Sequence, residues 1–371
     1  MANKAISNDA LGVDSKTKAF RGKKTRVAMI GCGGICQTHM NAYKEIPEVE
    51  IVACCDILPE RLELMKEKWG ITKGYTDWNE MLKKEKIDAV DICTPNGVHC
   101  APAVDAAKAG KHVMVEKLMA MNPAECKKMI AAADKAGVKL AVGFQNRYHD
   151  RTQFLKRAKD AGKFGNIMFV KVQALRRRGI PNWGVFGQKA LQGGGPMIDI
   201  GVHMVEASHH FMGEPKPVAA TGMTWTYLGD KPSEVVCPWP GWDFKTYTVE
   251  DLAIGHIRFE NGAVMQIEAS FAAHIKENKF TFTVMGDKAG GSWDPAEMFA
   301  DLDGTMVNLT PNFLPDCEFG KLFVIKLQNW IDAIRKGTPL TAPGTEGLMV
   351  QKILDGIYRS AEAGGKEVKI D

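Results

Sequence analysis

Residues 26–31, Arg-Val-Ala-Met-Ile-Gly, form a short apolar run that opens directly into Gly31-Cys32-Gly33-Gly34-Ile35. A run this short, ending on glycine, reads as a strand buried on both faces, and from Ile35 to about Lys44 the pattern turns helical until Pro47 closes it. The motif repeats. Apolar strands are expected at 49–55, 87–93, 112–115 and 139–144, separated by helices opening at Pro59 and spanning 101–109 and 123–136. Strands alternating with helices at this spacing build βαβ units and a doubly wound parallel sheet. This accounts for residues 24–150, after a polar arm at 1–23.

The remainder, 151–371, reads differently. After a helix near 151–162, partly alternating strands recur at 167–175, 218–227, 249–259, 263–271 and 280–285, with Asn261-Gly262 as a hairpin turn. Helices near 319–336 and 345–363 finish the chain, the last of which is free to pack back on the first domain. The expectation is an α+β domain with an open, largely antiparallel sheet.

Charge excludes one class of partner. Lys and Arg number 48 against 44 Asp and Glu, without long basic runs, so no nucleic-acid-binding stripe is expected. No apolar run approaches a membrane span, and the polar N-terminal stretch lacks the apolar core of a secretory signal. With nine cysteines and no CxxC pair, the thiols read as reduced and the chain as cytoplasmic. Cys36 with His39, and His203 with His209 and His210, each lack a second half for a zinc site, so no metal is expected.

The glycine loop carries the first chemistry. Gly31 and Gly33 suit the turn and the close approach of a pyrophosphate, and the following helix, opening at Gly34 and Ile35, offers N–H groups to phosphate. Cys36 takes the third glycine position of the G-x-G-x-x-G pattern. The second strand ends at Asp56, about 20 residues beyond the loop, where a carboxylate receives ribose hydroxyls and repels a 2′-phosphate. NAD is therefore expected over NADP, with Arg61 one turn further on as a neighbouring cofactor residue.

Two further loops leave the carboxyl ends of strands, where open α/β sheets bind ligands. One carries Thr94, Asn96 and His99, the other Glu116 and Lys117. A third cluster, Gly193-Gly-Gly-Pro196-Met-Ile-Asp199-Ile-Gly-Val-His203, starts a helix that Gly213 ends. Asp199 and His203, spaced i and i+4, fall on one helix face. A carboxylate beside a histidine orients the ring and raises its basicity, which suits general base work on a hydroxyl. The same spacing also fits an amphipathic helix with one buried polar pair.

Taken together, the strand–GCGGI–helix opening, Asp56, CTPNGVH (93–99), VEKL (115–118) and GGGPMIDIGVH (193–203) resemble the Gfo/Idh/MocA oxidoreductases over about residues 24–365. The resemblance implies a Rossmann domain followed by an α/β domain whose open sheet packs against a sister subunit, hence a homo-oligomer. It implies that Lys117 contacts substrate and nicotinamide ribose, that Asp199 and His203 line a sugar pocket, and that Asn146 and Arg147 meet cofactor and substrate. His203 then takes the proton of a ring hydroxyl while its carbon gives hydride to NAD, and Lys117 stabilises the developing alkoxide. Leu118 departs from the pattern, standing where the family has proline.

The expected substrate is a sugar or glycoside oxidised at a ring hydroxyl, C3 being favoured. Arg176 and Arg178 end a strand and would reach hydroxyls, and Trp183 would stack on a ring. The segment 229–247, rich in proline and tryptophan, would form an aromatic lip that a free monosaccharide hardly needs. Two alternatives stay open: a glycosidase that oxidises its substrate transiently, and a catalytically silent sugar or nucleotide sensor.

Overall fold

The computed structural model describes residues 22–315 and 318–371. All but two residues of the expected N-terminal arm lie outside them. The first half runs β1 (Thr25–Ile30), α1 (Gly34–Tyr43), β2 (Val49–Cys55), α2 (Pro59–Trp69), β3 (Gly74–Tyr75), α3 (Trp78–Lys84), β4 (Ala89–Ile92), α4 (Cys100–Lys108), β5 (His112–Val115), α5 (Pro123–Ala136) and β6 (Leu140–Val142). The strands form one parallel sheet in the order β3-β2-β1-β4-β5-β6. Local chemistry sets its helix ends. Pro59 begins α2, the Asn122 side chain accepts the Glu125 N–H to cap α5, and Gly70 and Gly137 end α2 and α5 with φ of 70° and 65°.

The second half runs α6 (Asp150–Asp160), β7 (Ile167–Leu175), α7 (Lys189–Gln192), α8 (Val202–Met212), β8 (Pro217–Trp225), β9 (Leu252–Phe259), β10 (Val264–Ser270), β11 (Lys279–Gly286), β12 (Ala289–Ser292), β13 (Glu297–Leu302), β14 (Thr305–Asn308), α9 (Phe319–Lys336), α10 (Gly344–Glu362) and β15 (Val368–Lys369). Its nine-stranded sheet has the order β14-β13-β12-β11-β7-β10-β9-β8-β15, antiparallel except for the β7–β10 pair. The Asn261-Gly262 turn joins β9 to β10, with Gly262 at φ 87°. Helix α10 lies tight on one face, where a Cβ at Gly255 would fall 2.6 Å from Ile357. The opposite face is half-open, with Lys171 and Glu268 paired across it at 3.0 Å.

Three short elements were beyond the reach of the sequence pattern: β3, the β12–β14 ribbon and β15. Two residues carry no period, and Ala-Gly-Gly-Ser with a polar ribbon lacks the alternation that marks a half-buried strand. In the other direction, Val249 to Asp251 leave the expected strand because Asp251 is a cap, its carboxylate accepting the N–H groups of Tyr227, Leu228 and Gly229.

The chain then doubles back. One face of the first sheet, with Val27 and Met29, and helix α1, with Cys36 and Met40, are covered by Phe323, Leu327, Trp330 and Ile331 of α9. Cys36 is wholly buried there, so the third glycine position is filled by a thiol that packs. No helix among the described residues is long and apolar enough to cross a membrane.

Candidate active site

The glycine loop is built for close approach. Gly31 has φ 85°, and a Cβ on it would fall 2.7 Å from the Cys93 carbonyl carbon and the Thr94 nitrogen. Only glycine fits both conditions. Gly33, Gly34 and Ile35 follow at the start of α1, whose first N–H groups receive no side-chain cap. Asp56 accepts the Cys32 N–H at 2.7 Å and the Leu58 N–H at 3.0 Å, and Arg61 reaches its Oδ2 at 3.3 Å. Beside them is a largely apolar cavity of about 290 Å³, walled by Ile57, Leu58, Trp78, Pro95 and Val98 and closed by Val185 and Leu191 of the second half. An apolar slot with one carboxylate at its rim fits the adenosine end of NAD, and the uncapped helix start fits its pyrophosphate. Thr94 also lines this cavity, its buried hydroxyl unmatched by any donor or acceptor of the described residues.

Asn96 joins the two halves, its amide donating to the Gln192 carbonyl at 2.9 Å while Gly97 lies against the Ala190 and Leu191 carbonyls. His99 is fully buried between the Leu118 and Thr94 carbonyls, at 2.7 and 2.8 Å. The structure thus gives it a bracing position between two site loops, not one facing the cleft.

Lys117 and Asp199 meet where the halves close. The ammonium lies 2.8 Å from the Asp199 main-chain oxygen and 3.1 Å from its carboxylate. The peptide bond from Lys117 to Leu118 is cis. Met197–Gly201 forms a π turn rather than the α-helix expected, and it leads into α8. Glycines permit this seat: Gly195 is pressed on Glu250, whose carboxylate accepts its N–H at 2.9 Å.

The expected Asp199–His203 pairing is absent. Asp199 turns to Lys117, a stronger partner than a neutral imidazole, and the buried Nδ1 of His203 has no partner among the described residues. Burial, and next the Lys117 charge, push His203 down to about 3. Its ring lines a small cavity with Gln145, Asn146, His149, Phe280, Trp293 and Leu322. Trp293 is fixed by donating to the Thr152 hydroxyl at 2.8 Å. Of that wall only Asn146 and His203 were singled out in the sequence. The aromatic residues come from β11 and the loop after β12, and no short-range pattern links them to α8.

The outer rim is aromatic. Arg176 lies 4.0 Å from Asp199 and stacks over Trp239 at 5.0 Å, and Trp239 meets Trp183 edge-on at 4.8 Å. Trp183 is half-exposed. Trp239 and Trp242 therefore sit in an ordered lip, with the Trp242 indole donating to the Gly229 carbonyl at 2.9 Å.

Besides His99, three expected site residues point elsewhere. Arg178 turns outward, pairing with His274 at 2.8 Å in a surface groove with Arg177 and Val236. Arg147 is wholly buried, held by Glu206 at 2.9 Å, Glu214 at 3.1 Å and Glu346. Those carboxylates crowd one guanidinium, and burial pushes Glu206 up to about 7. A substrate-contacting Arg147 is thus replaced by a structural hub. Glu116 likewise faces inward, bonded to His39 and Lys326 rather than to the cleft. Two groupings have ligand-like spacing, His39 with Asp91 and Cys93, and His210 with Glu214 and Glu346. The cations Lys326 and Arg147 already lie among them.

This geometry has known counterparts. The D-glucoside 3-dehydrogenase of Escherichia coli (strain K12) is 34% identical over 349 residues, covering 93% of this chain and 98% of that protein. Levoglucosan dehydrogenase of Pseudarthrobacter phenanthrenivorans is 26% identical over 378 residues, covering 90% and 95%. The crystal structure of aldose-aldose oxidoreductase from Caulobacter crescentus, complexed with glycerol, superposes with a TM-score of 0.76 at 27% identity, covering 94% of this chain and all of that one. The NAD-binding Rossmann model of the oxidoreductase family matches residues 25–144 and its C-terminal alpha/beta model residues 156–370. With the glycine cradle, Asp56 and the two halves closing on Lys117, these matches make the chain a member of the Gfo/Idh/MocA family of NAD-binding oxidoreductases.

Proposed function

We propose that the protein oxidises a ring hydroxyl, at C3, of a sugar or glycoside. The observation that carries this reading is the convergence of Lys117, Asp199 and the unpartnered His203 nitrogen beside a nucleotide cleft, under an aromatic rim. Asp56, Gly31, Gly33, Gly34, Ile35, Arg61 and Thr94 would hold NAD, with Asn146 and Lys117 at its nicotinamide end. Bound NAD supplies the hydride acceptor.

The residues do the remaining work. Asp199 and Arg176 hydrogen-bond sugar hydroxyls, and Lys117 donates to the reacting oxygen and offsets its growing negative charge. His203, uncharged because of burial and Lys117, accepts the hydroxyl proton as the carbon–hydrogen bond breaks and the carbonyl forms. The match to a D-glucoside 3-dehydrogenase supports C3, and the Trp183–Trp239 lip supports a substrate larger than a monosaccharide. The decisive measurement is a glycoside panel with purified protein and NAD. One NADH and one 3-keto glycoside per turnover are expected, while aglycone release without net NADH would overturn the reading.

The half-buried Phe169, Ile254 and Val264 on the open sheet face support self-association into a homo-oligomer. Light scattering of the purified protein tests it, and a monomeric mass would refute it. The eight described cysteines are all free, which supports a cytoplasmic setting.

A further inference from the structure

Behind the strand end that carries Lys117 lies a buried ionic quartet, built by four separate parts of the chain. His39 of α1 bonds Asp91 of β4 at 2.7 Å through Nδ1 and Glu116 at 3.0 Å through Nε2. Lys326 of α9 lies 2.5 Å from the same Glu116 oxygen and 3.0 Å from His39. The four side chains are at most 5% exposed. Tyr43 and Cys93 also donate to Asp91, and the Cys36 thiol is buried nearby. Two carboxylates balance two cations only when both His39 and Lys326 are charged. Against the opposing pull of burial, Lys326 and His39 keep Glu116 ionised, and Asp91 holds His39 above its ordinary value.

The two oxygens of Glu116 have different partners. Oε1 takes His39 and Lys326, while Oε2 accepts the main-chain N–H of Lys117 at 3.0 Å. On a third side Gly143 leaves no slack, since a Cβ there would fall 2.6 Å from Oε1. A buried ion pair is weak evidence of stabilisation, because apolar residues of similar volume serve as well. What this pair adds is placement: one carboxylate fixes the backbone from which Lys117 reaches Asp199. Leu322, four residues before Lys326 and so on the same helix face, lines the His203 cavity.

We propose that the Lys326–Glu116 pair is a positioning device for the reaction, with Lys326 acting through Glu116 on the Lys117 main chain. It rests on the reading of Lys117 as the group that meets the substrate oxygen. A misplacement of about 1 Å in such a group costs up to roughly 100-fold in rate.

The test compares Lys326→Met, Lys326→Arg and the charge-balanced Glu116→Gln/Lys326→Met with Lys117→Ala, using the full chain. Turnover, NADH affinity by fluorescence and thermal unfolding are measured for each. Expected are a kcat about 10- to 100-fold lower for Lys326→Met, NADH affinity unchanged because the adenosine end is held at Asp56, and recovery of most of the rate in Lys326→Arg. Should Lys326→Met fail to fold with the two buried carboxylates left to His39 alone, the double variant carries the same expectation without that burden. Unchanged kcat in a folded Lys326→Met or double variant, with Lys117→Ala inactive, overturns the positioning role. Full activity of Lys117→Ala overturns the underlying reading of Lys117 instead.

Discussion

Lys117 is bound twice by a single residue, donating to both the main-chain oxygen and the carboxylate of Asp199. One contact sets the height of the ammonium above the π turn, and the other keeps a carboxylate from reaching His203. An imidazole four residues further on is left uncharged beside a fixed cation. In the proposed reaction the acceptor for the proton and the counter-charge for the oxyanion are therefore separate groups.

The pH dependence should show it. His203 sits at about 3 rather than at the usual imidazole value, so its proton-accepting form is present throughout the range above about pH 4. The pH profile of kcat/KM should have no acidic inflection near 6.5. In Lys117→Ala the depressing charge is gone and the His203 titration should move upward, detectable in imidazole NMR shifts. A limb between pH 6 and 7 in the wild type that vanishes in His203→Asn would contradict the assignment.

His203→Asn removes the proposed proton acceptor and keeps a similar volume. Turnover should fall by about 10²- to 10⁴-fold, the usual worth of a positioned general base, with NADH affinity unaltered. Stopped-flow hydride transfer measures it, and a loss smaller than threefold would shift the base role to another group.

Arg147 divides a structural from a catalytic reading. Its guanidinium is wholly buried among Glu206, Glu214 and Glu346, so Arg147→Met should destabilise the fold by about 3–5 kcal/mol by leaving buried charge unpaired. Urea unfolding reads this, and KM at a permissive temperature should not change. Unaltered stability with a raised KM would return Arg147 to the sugar.

Gly31→Ala meets a φ of 85° and the Cys93–Thr94 backbone at 2.7 Å. A loss of about 1–3 kcal/mol is expected from the conformation alone, along with weakened NADH binding. Calorimetry on the folded variant checks both, and wild-type affinity would mean that the loop is not the phosphate seat.

Trp239→Ala tests the rim. Loss of an aromatic contact of roughly 0.5–1.5 kcal/mol should raise KM for aryl glycosides by about 2- to 12-fold and leave the KM for a free monosaccharide near its original value. An equal effect on both would make the lip a mere support for Arg176.

The first sheet was readable because each buried strand announces itself as a brief apolar run closed by glycine, proline or a carboxylate, as at Gly31 and Asp56. Lys117 could be singled out because it follows the carboxyl end of a strand, and Asp199 and His203 because they follow Gly193–Gly195 at a helix start. What escaped depends on long-range encounters. The i, i+4 rule paired Asp199 with His203, but it holds for an α-helix, whereas the chain makes a π turn there and Asp199 finds Lys117, 82 positions away. Arg147 followed a site strand in sequence, yet three acidic side chains from α8, its C-terminal turn and α10 draw it inward. One signal was available for Lys326, a charge set within the apolar stripe of Leu322, Phe323, Leu327 and Trp330. A lysine in such a stripe requires a buried anion.

The return of α9 to the first sheet has a consequence for synthesis. Val27 and Met29 wait for Phe323, Leu327 and Trp330, nearly three hundred positions downstream. At about 5–20 residues per second, that interval is roughly 15–60 s, during which the nascent nucleotide-binding half exposes an uncovered apolar face. A ribosome-bound chaperone that shields this face is therefore most needed before the last sixth of the chain has emerged, and a stop codon ahead of Phe319 would remove the cover altogether.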